Sequence, residues 1–164
     1  MRFFAILALA LWLGSIFFFG AVLAPTVFHV LPTHTLAGNV VFPALTHLHT
    51  IGLICGVLFA IFIILSNLMT RHNEARIRGT RQQANILPQL VLVGCMLALT
   101  AYAQFGIGAR MNGMRVGMGE IDSISQTDAR RIEFNRLHLW STRLEGTIFF
   151  LGLGTLFLTS RRLS

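Results

Sequence analysis

Residues 3–24 carry no charged side chain, and Pro25 closes the run. A second uncharged stretch reaches back from Met69 to about Ala37 and stops before Arg71. A third occupies 86–108, and a fourth apolar stretch begins near Leu137 and ends at Ser160, before Arg161 and Arg162. A bilayer core of roughly 30 Å is crossed by about 20 apolar residues in a helix, so each stretch is long enough. Backbone polar groups in lipid must be bonded within their own segment, which selects helices, and no ten-residue alternation points to a barrel. The pattern predicts an all-α integral membrane protein, a four-helix transmembrane bundle with spans at about 3–24, 40–69, 86–108 and 137–160. These lie in a single membrane domain, 1–164, with no repeat, low-complexity tract or linker.

The first stretch is too long for the apolar region of a signal peptide. Pro25 also follows directly on Val22-Leu23-Ala24, the one small-residue cleavage site, so a retained helix is expected. The segment 109–136 is expected to form an outer loop with an amphipathic helix. Ser125-Gln126-Thr127-Asp128 resembles a capping box, and Asp128 with Arg131 and Glu133 with Arg136 stand three apart. The fourth helix is therefore expected to start near Thr127, outside the membrane.

Composition agrees: 54% of residues are hydrophobic, 12% are charged, and the mean hydropathy is +0.70. A soluble domain carries about a quarter charged residues, so an ordinary water-soluble domain is excluded. All 13 basic residues are Arg, and the net charge is +7. Among apolar spans, such charge marks headgroup contact or the cytoplasmic side, and the expected partner is the lipid bilayer, not nucleic acid. Arg71, Arg76, Arg78 and Arg81 face Glu74 alone in the loop 70–85, and Arg2, Arg161 and Arg162 fall on the same side. Arg110, Arg115, Arg130, Arg131 and Arg136 fall on the other, beside Glu120, Asp122, Asp128 and Glu133. The bias puts both termini in the cytoplasm of a multi-pass protein of the cell inner membrane.

Counting at about 1.5 Å per residue from the cytoplasmic ends brings His49 and His138 to similar depth near the outer interface. His47 sits just above, Tyr102 and Gln104 level or below, and His29 and His34 hang from the first outer loop. Glu145 follows His138 by nearly two turns on the same face. Histidine is the commonest metal ligand and a usual haem ligand, and a bundle core can hold either. His49, His138, His47 and Glu145 are thus candidates to bind haem b or copper; alternatively these imidazoles bond headgroups, water or backbone. Met111, Met114 and Met118 present soft thioethers of the kind that select Cu(I), with His29 as a further candidate ligand. The same spacing suits adaptable packing. Arg143 and Glu145 do not share a helix face, so Arg143 is expected to turn outward and Glu145 into the bundle, as a proton or cation carrier or as a carboxyl that fixes register. Gly52, Gly56 and Ala60, and more briefly Ala10 and Gly14, form small-residue stripes suited to close helix contact. Cys55 and Cys95 are expected to be free thiols.

Leu11-Trp12-Leu13-Gly14-Ser15, Gly20, Ala24-Pro25-Thr26-Val27-Phe28, Ala37-Gly38 and Phe42 come in this order, followed by Ala109-Arg110-Met111, Arg115 and Phe134-x-x-Leu137-His138-x-x-Ser141. Together they resemble a family of small bacterial four-helix membrane proteins of unknown function, related to eukaryotic transmembrane protein 205. The resemblance spans nearly the whole chain. Where that family has apolar residues and an Asn after the fourth-helix Ser, this chain has Arg143 and Glu145. The implied fold is also similar, at a distance, to membrane domains of copper-resistance proteins and of a haem-dependent protoporphyrinogen oxidase.

No Gly-rich phosphate loop, nucleophile elbow or pair of catalytic carboxylates is present, and the chain is not expected to be an enzyme. The expectation is a non-enzymatic polytopic membrane protein with a small-ligand, metal or haem site near the outer leaflet. The alternatives are an accessory subunit packed against other membrane-protein subunits, and a haem-dependent membrane oxidoreductase.

Overall fold

The computed structural model describes residues 1–76 and 85–161, and within them all side chains except those of residues 2 and 70–76. Arg78, Arg81 and Arg162, and the side chains of Arg2, Arg71 and Arg76, all assigned above to the cytoplasmic face, therefore lie outside the described residues. Every regular element among the described residues is helical. Helix α1 comprises Arg2–Phe18, a wide π-turn at Phe19–Leu23 and a last stretch, Ala24–Val30. Pro25 has no N–H, and in a regular helix its ring would strike the carbonyl four residues back. The wide turn just before it absorbs that conflict, so the helix runs past the proline that bounds the apolar stretch.

Helix α2, His34–Arg76, is 43 residues long and holds Pro43 in its interior, which denies the Asn39 carbonyl its helical donor. Helix α3 passes from Leu87–Ala101 through a second π-turn, Tyr102–Gly108, into Ala109–Met118. The first ten residues of the expected outer loop thus continue the third helix. Gly119 ends it at φ 66°, a backbone that glycine adopts without steric cost. One 3₁₀ turn, Ile121–Ser123, leads to α4, Ala129–Ser160. The cap of α4 is Asp128, whose Oδ1 accepts the Arg130 backbone N–H at 2.8 Å. Ser125, expected to open a capping box, bonds Thr127 instead.

Three helical stretches, Phe3–Val30, His34–Met69 and Leu87–Met118, are long and apolar enough to cross a membrane. Helix α4 has the length but carries Arg143 and Glu145 in its apolar part. Ala5, Leu9, Trp12 and Ile16 repeat at helical spacing and form the buried face of α1, which packs chiefly on α2. Helix α3 lies against α4, and Phe59, Val93, Met96 and Ile148 fill the centre. The exterior is apolar as well: Phe3, Phe105 and Phe150 are about as exposed as surface residues become, Phe150 at 72%. Exposed apolar surface on this scale is normal only against lipid, and this is a membrane protein.

Where lipid replaces water, burial alone no longer drives helices together, and close van der Waals packing must do it. A Cβ at Gly52 or Gly56 would collide with the Trp12 indole, and one at Gly152 with Leu13 and Met96. The stripe on α2 thus seats Trp12. The shorter stripe does not pack: Ala10 and Gly14 are exposed, and a Cβ at Gly14 would meet nothing within 4 Å. Phase explains this, because both fall between the buried positions of α1.

Candidate functional site

A cavity of about 830 Å³ lies between the four helices toward the end where α1 turns into α2. Both π-turns line it, through Gly20 and Ala21 on α1 and Ala103 and Gly108 on α3. Gly38 on α2 and Gly146 on α4 add further room. The walls are rich in phenylalanine, and the polar lining is sparse: His34, Arg115, Arg131, His138, Ser141, Thr142 and Glu145 carry most of it.

Glu145 projects inward from α4 and meets His49 of α2, with Nε2 and Oε1 2.5 Å apart. His49 is 3% exposed and Glu145 14%, so each supplies the hydrogen bond that water would otherwise give the other. His138 lines the same cavity about two turns nearer the end where α1 turns into α2. The other candidates stand apart: His47 is exposed two residues from His49, and His29 is exposed near the end of α1. Met111 lines the cavity, and Met114 and Met118 continue its half-buried helix face. Among the described residues, no three of His, Cys, Asp and Glu gather as metal donors would. Cys55 and Cys95 are free, Cys55 buried and Cys95 on the apolar exterior. Arg143 turns outward over the Trp140 ring, 5.7 Å from its centroid.

Two guanidinium groups reach the cavity. Arg115 rises from α3 beside Gly38, donates to the Asn39 side-chain oxygen and lies 5.5 Å from the centroid of the Phe42 ring. Arg131 does not pair with Asp128 as its spacing suggested. Asp128 bonds Arg130 at 3.1 Å, and Arg131 instead donates to the carbonyls of Ile121, at 3.2 Å, and Ile124. The expected pair of Glu133 and Arg136 stands at 2.7 Å, and Arg110 joins it from α3 at 2.9 Å.

The segment between α3 and α4 is clasped over this end. Asp122 accepts from the Thr35 backbone N–H at 3.1 Å and its hydroxyl at 3.3 Å, and lies 2.9 Å from His34 Nδ1. The Ile121 N–H returns a bond to the Thr35 hydroxyl at 3.0 Å. Asp122 thus places a carboxylate at the positive N-terminal end of α2. Desolvation works to raise its carboxyl, but the Thr35 N–H, the His34 bond and charge and the Thr35 hydroxyl outweigh it and hold it below the ordinary carboxylate value.

In the sequence Arg115 stands out only as part of the family resemblance and Arg131 only as the expected partner of Asp128; neither they nor Asp122 reads there as a site residue. The signal available for Arg115 was its place among Met111, Met114 and Met118, an inward face at steps of three and four that includes a charge. Gln89, wholly buried and bonded to Thr159 at 3.4 Å in the opposite half of the bundle, was also missed.

Neither a curated protein nor a solved structure matches the chain. A family match covers residues 7–120, a stretch that holds His49, Asp122's partner Thr35, and Arg115, and that stops before α4. The chain belongs to that family, described as a domain of unknown function (DUF4149).

Proposed function

We propose that the chain is a four-span protein of the cell inner membrane, both termini cytoplasmic, which holds a small organic ligand near the outer leaflet without catalysing a reaction. One observation carries this: an apolar cavity of about 830 Å³ into which a few polar side chains converge, the usual form of a ligand site. The likeness to relatives of transmembrane protein 205 fits the same setting, since its runs at 12–15 and 24–28 lie on α1, and Gly20, Ala24, Pro25 and Phe28 border the cavity.

The test is mass spectrometry of small molecules that co-purify with the protein in mild detergent, comparing wild type with Gly146→Leu. Gly146 lines the cavity, and a Cβ there would meet no atom within 4 Å, so a side chain can leave the backbone without a clash and leucine takes up cavity space. The wild type is expected to retain a molecule that the variant loses at unchanged helix content. Identical bound molecules in both would overturn the reading. A Soret band lost in His138→Ala, or copper that depends on Met111, Met114 and Met118, would replace the organic ligand by haem or copper. A stably co-purifying membrane protein, with no small molecule, would replace it by the accessory-subunit reading.

A further inference from the structure

We propose that the ligand of this cavity is a single-chain amphiphile with an anionic headgroup, its head held at Arg115 and Arg131 and its chain lying along Phe134, Phe149 and Phe17. This rests on the ligand-binding reading above and narrows it to a chemical class.

The first ground is how the arginines are sorted. Among the described residues, Arg110, Arg130 and Arg136 pair with carboxylates, and Arg115, Arg143 and Arg161 lie over aromatic rings. Arg115 and Arg131 line the cavity, and their hydrogen-bond acceptors are neutral oxygens: the side chain of Asn39 and the carbonyls of Ile121 and Ile124. A guanidinium has five N–H donors in a planar fork that matches a carboxylate or phosphate. Each of these two commits one terminal nitrogen to protein oxygens, Arg115 to one and Arg131 to two. Two cations beside an apolar space, neither paired with a carboxylate among the described residues, are costly, and an anion in the cavity lowers that cost.

The second ground is polarity along the cavity. Among the described residues, the one carboxylate lining it, Glu145, is bonded to His49 and lies about four turns, ~21 Å, along α4 from Arg131, too far to neutralise it. The wall between Phe134 and Phe149 extends ~22 Å. Half of a roughly 30 Å bilayer core gives one acyl chain about 15 Å, so the wall is long enough for a long chain. Arginines at the α1–α2 end and a phenylalanine-rich wall beyond them, with His138, Ser141, Thr142 and Glu145 among the polar groups along α4, are the complement of an anionic amphiphile.

The experiment uses the full chain in nanodiscs of zwitterionic lipid, with a dansylated fatty acid as fluorescent probe. Palmitate and palmitoyl lysophosphatidate are expected to displace it, with hexadecanol and hexadecylamine weaker by roughly tenfold or more. Arg115→Gln is expected to cut the anionic advantage about tenfold and to leave hexadecanol unchanged, while Arg115→Lys keeps part of it. The better of palmitate and lysophosphatidate identifies the source as a free fatty acid or a membrane lipid product. Arg131→Gln is read the same way; should loss of its bonds to Ile121 and Ile124 unfold the protein, Arg115→Gln decides alone. If hexadecanol binds as well as palmitate and Gly146→Leu blocks both, the cavity binds ligand but the anionic class is wrong. If Gly146→Leu alters the binding of no probe, the ligand-binding reading itself falls.

Discussion

His49 and Glu145 meet where bulk water reaches neither freely. Truncating one leaves the other's polar atom buried without a partner, which costs about 1–3 kcal/mol. Removing both leaves no unmet group, and such replacements are often close to neutral. Glu145→Ala is therefore expected to lower the thermal midpoint in detergent more than the double variant His49→Leu with Glu145→Leu. A double variant no more stable than the single one would show that the pair contributes by packing alone. That Glu145 turns inward and Arg143 outward was legible, because two residues differ by more than half a turn on any α-helix. The partner of Glu145 was not. It comes from a residue 96 positions away, and no local pattern states which helices will touch.

Between elements, the clasp at Asp122 joins the start of α2 to the segment that closes the cavity's end. Its carboxyl is held below the ordinary value of 3.8. A depressed carboxyl contributes stability that is fully present above the unfolded value and is lost as pH falls through the folded one. Acidification to values below the ordinary 3.8 is thus expected to release the Thr35 amide, seen as loss of hydrogen-exchange protection there and at Ile121. Asp122→Ala, which removes the acceptor, should lack this protection at neutral pH and show no further loss on acidification; unaltered protection in that variant would exclude the clasp. The apolar runs announced the helices, but their ends needed other information. Pro25 reads as a stop when the preceding turn is taken as α, and Gly108 reads as the end of a span when the half-buried face beyond it is counted as loop. Asp122 lies in a single 3₁₀ turn, where no periodicity reports orientation.

Across the described residues, an apolar exterior surrounds a core whose polar side chains bond to one another, as in His49–Glu145 and Gln89–Thr159, or to carbonyls of their own helix, as in Thr100, Thr155 and Thr159. That arrangement is expected when the solvent is lipid. Of the arginines proposed to face the cytoplasm, the one with a described side chain is Arg161, whose guanidinium lies over Phe157 at 5.5 Å. Reporter fusions test the proposed topology. A fluorescent protein at the C-terminus is expected to light up, and alkaline phosphatase inserted in the segment 119–128 is expected to be active. Both reporters on the same side of the bilayer would mean that α4 does not cross it.

The two π-turns also bear on how the length of this chain can change. Each packs one residue more into a turn than an α-helix needs, so the helices on either side keep the faces they would have without it. A single-residue deletion within Tyr102–Gly108 is absorbed by reversion to ordinary α-geometry, with Thr100 and Met111 still on their own sides. Within Phe19–Leu23 the same deletion is resisted, because Pro25 still needs the wide turn ahead of it. Elsewhere in a span, a one-residue change rotates everything beyond it by about 100°. The wall of the cavity on α3 is thus the place where relatives of different length can differ while keeping the same bundle.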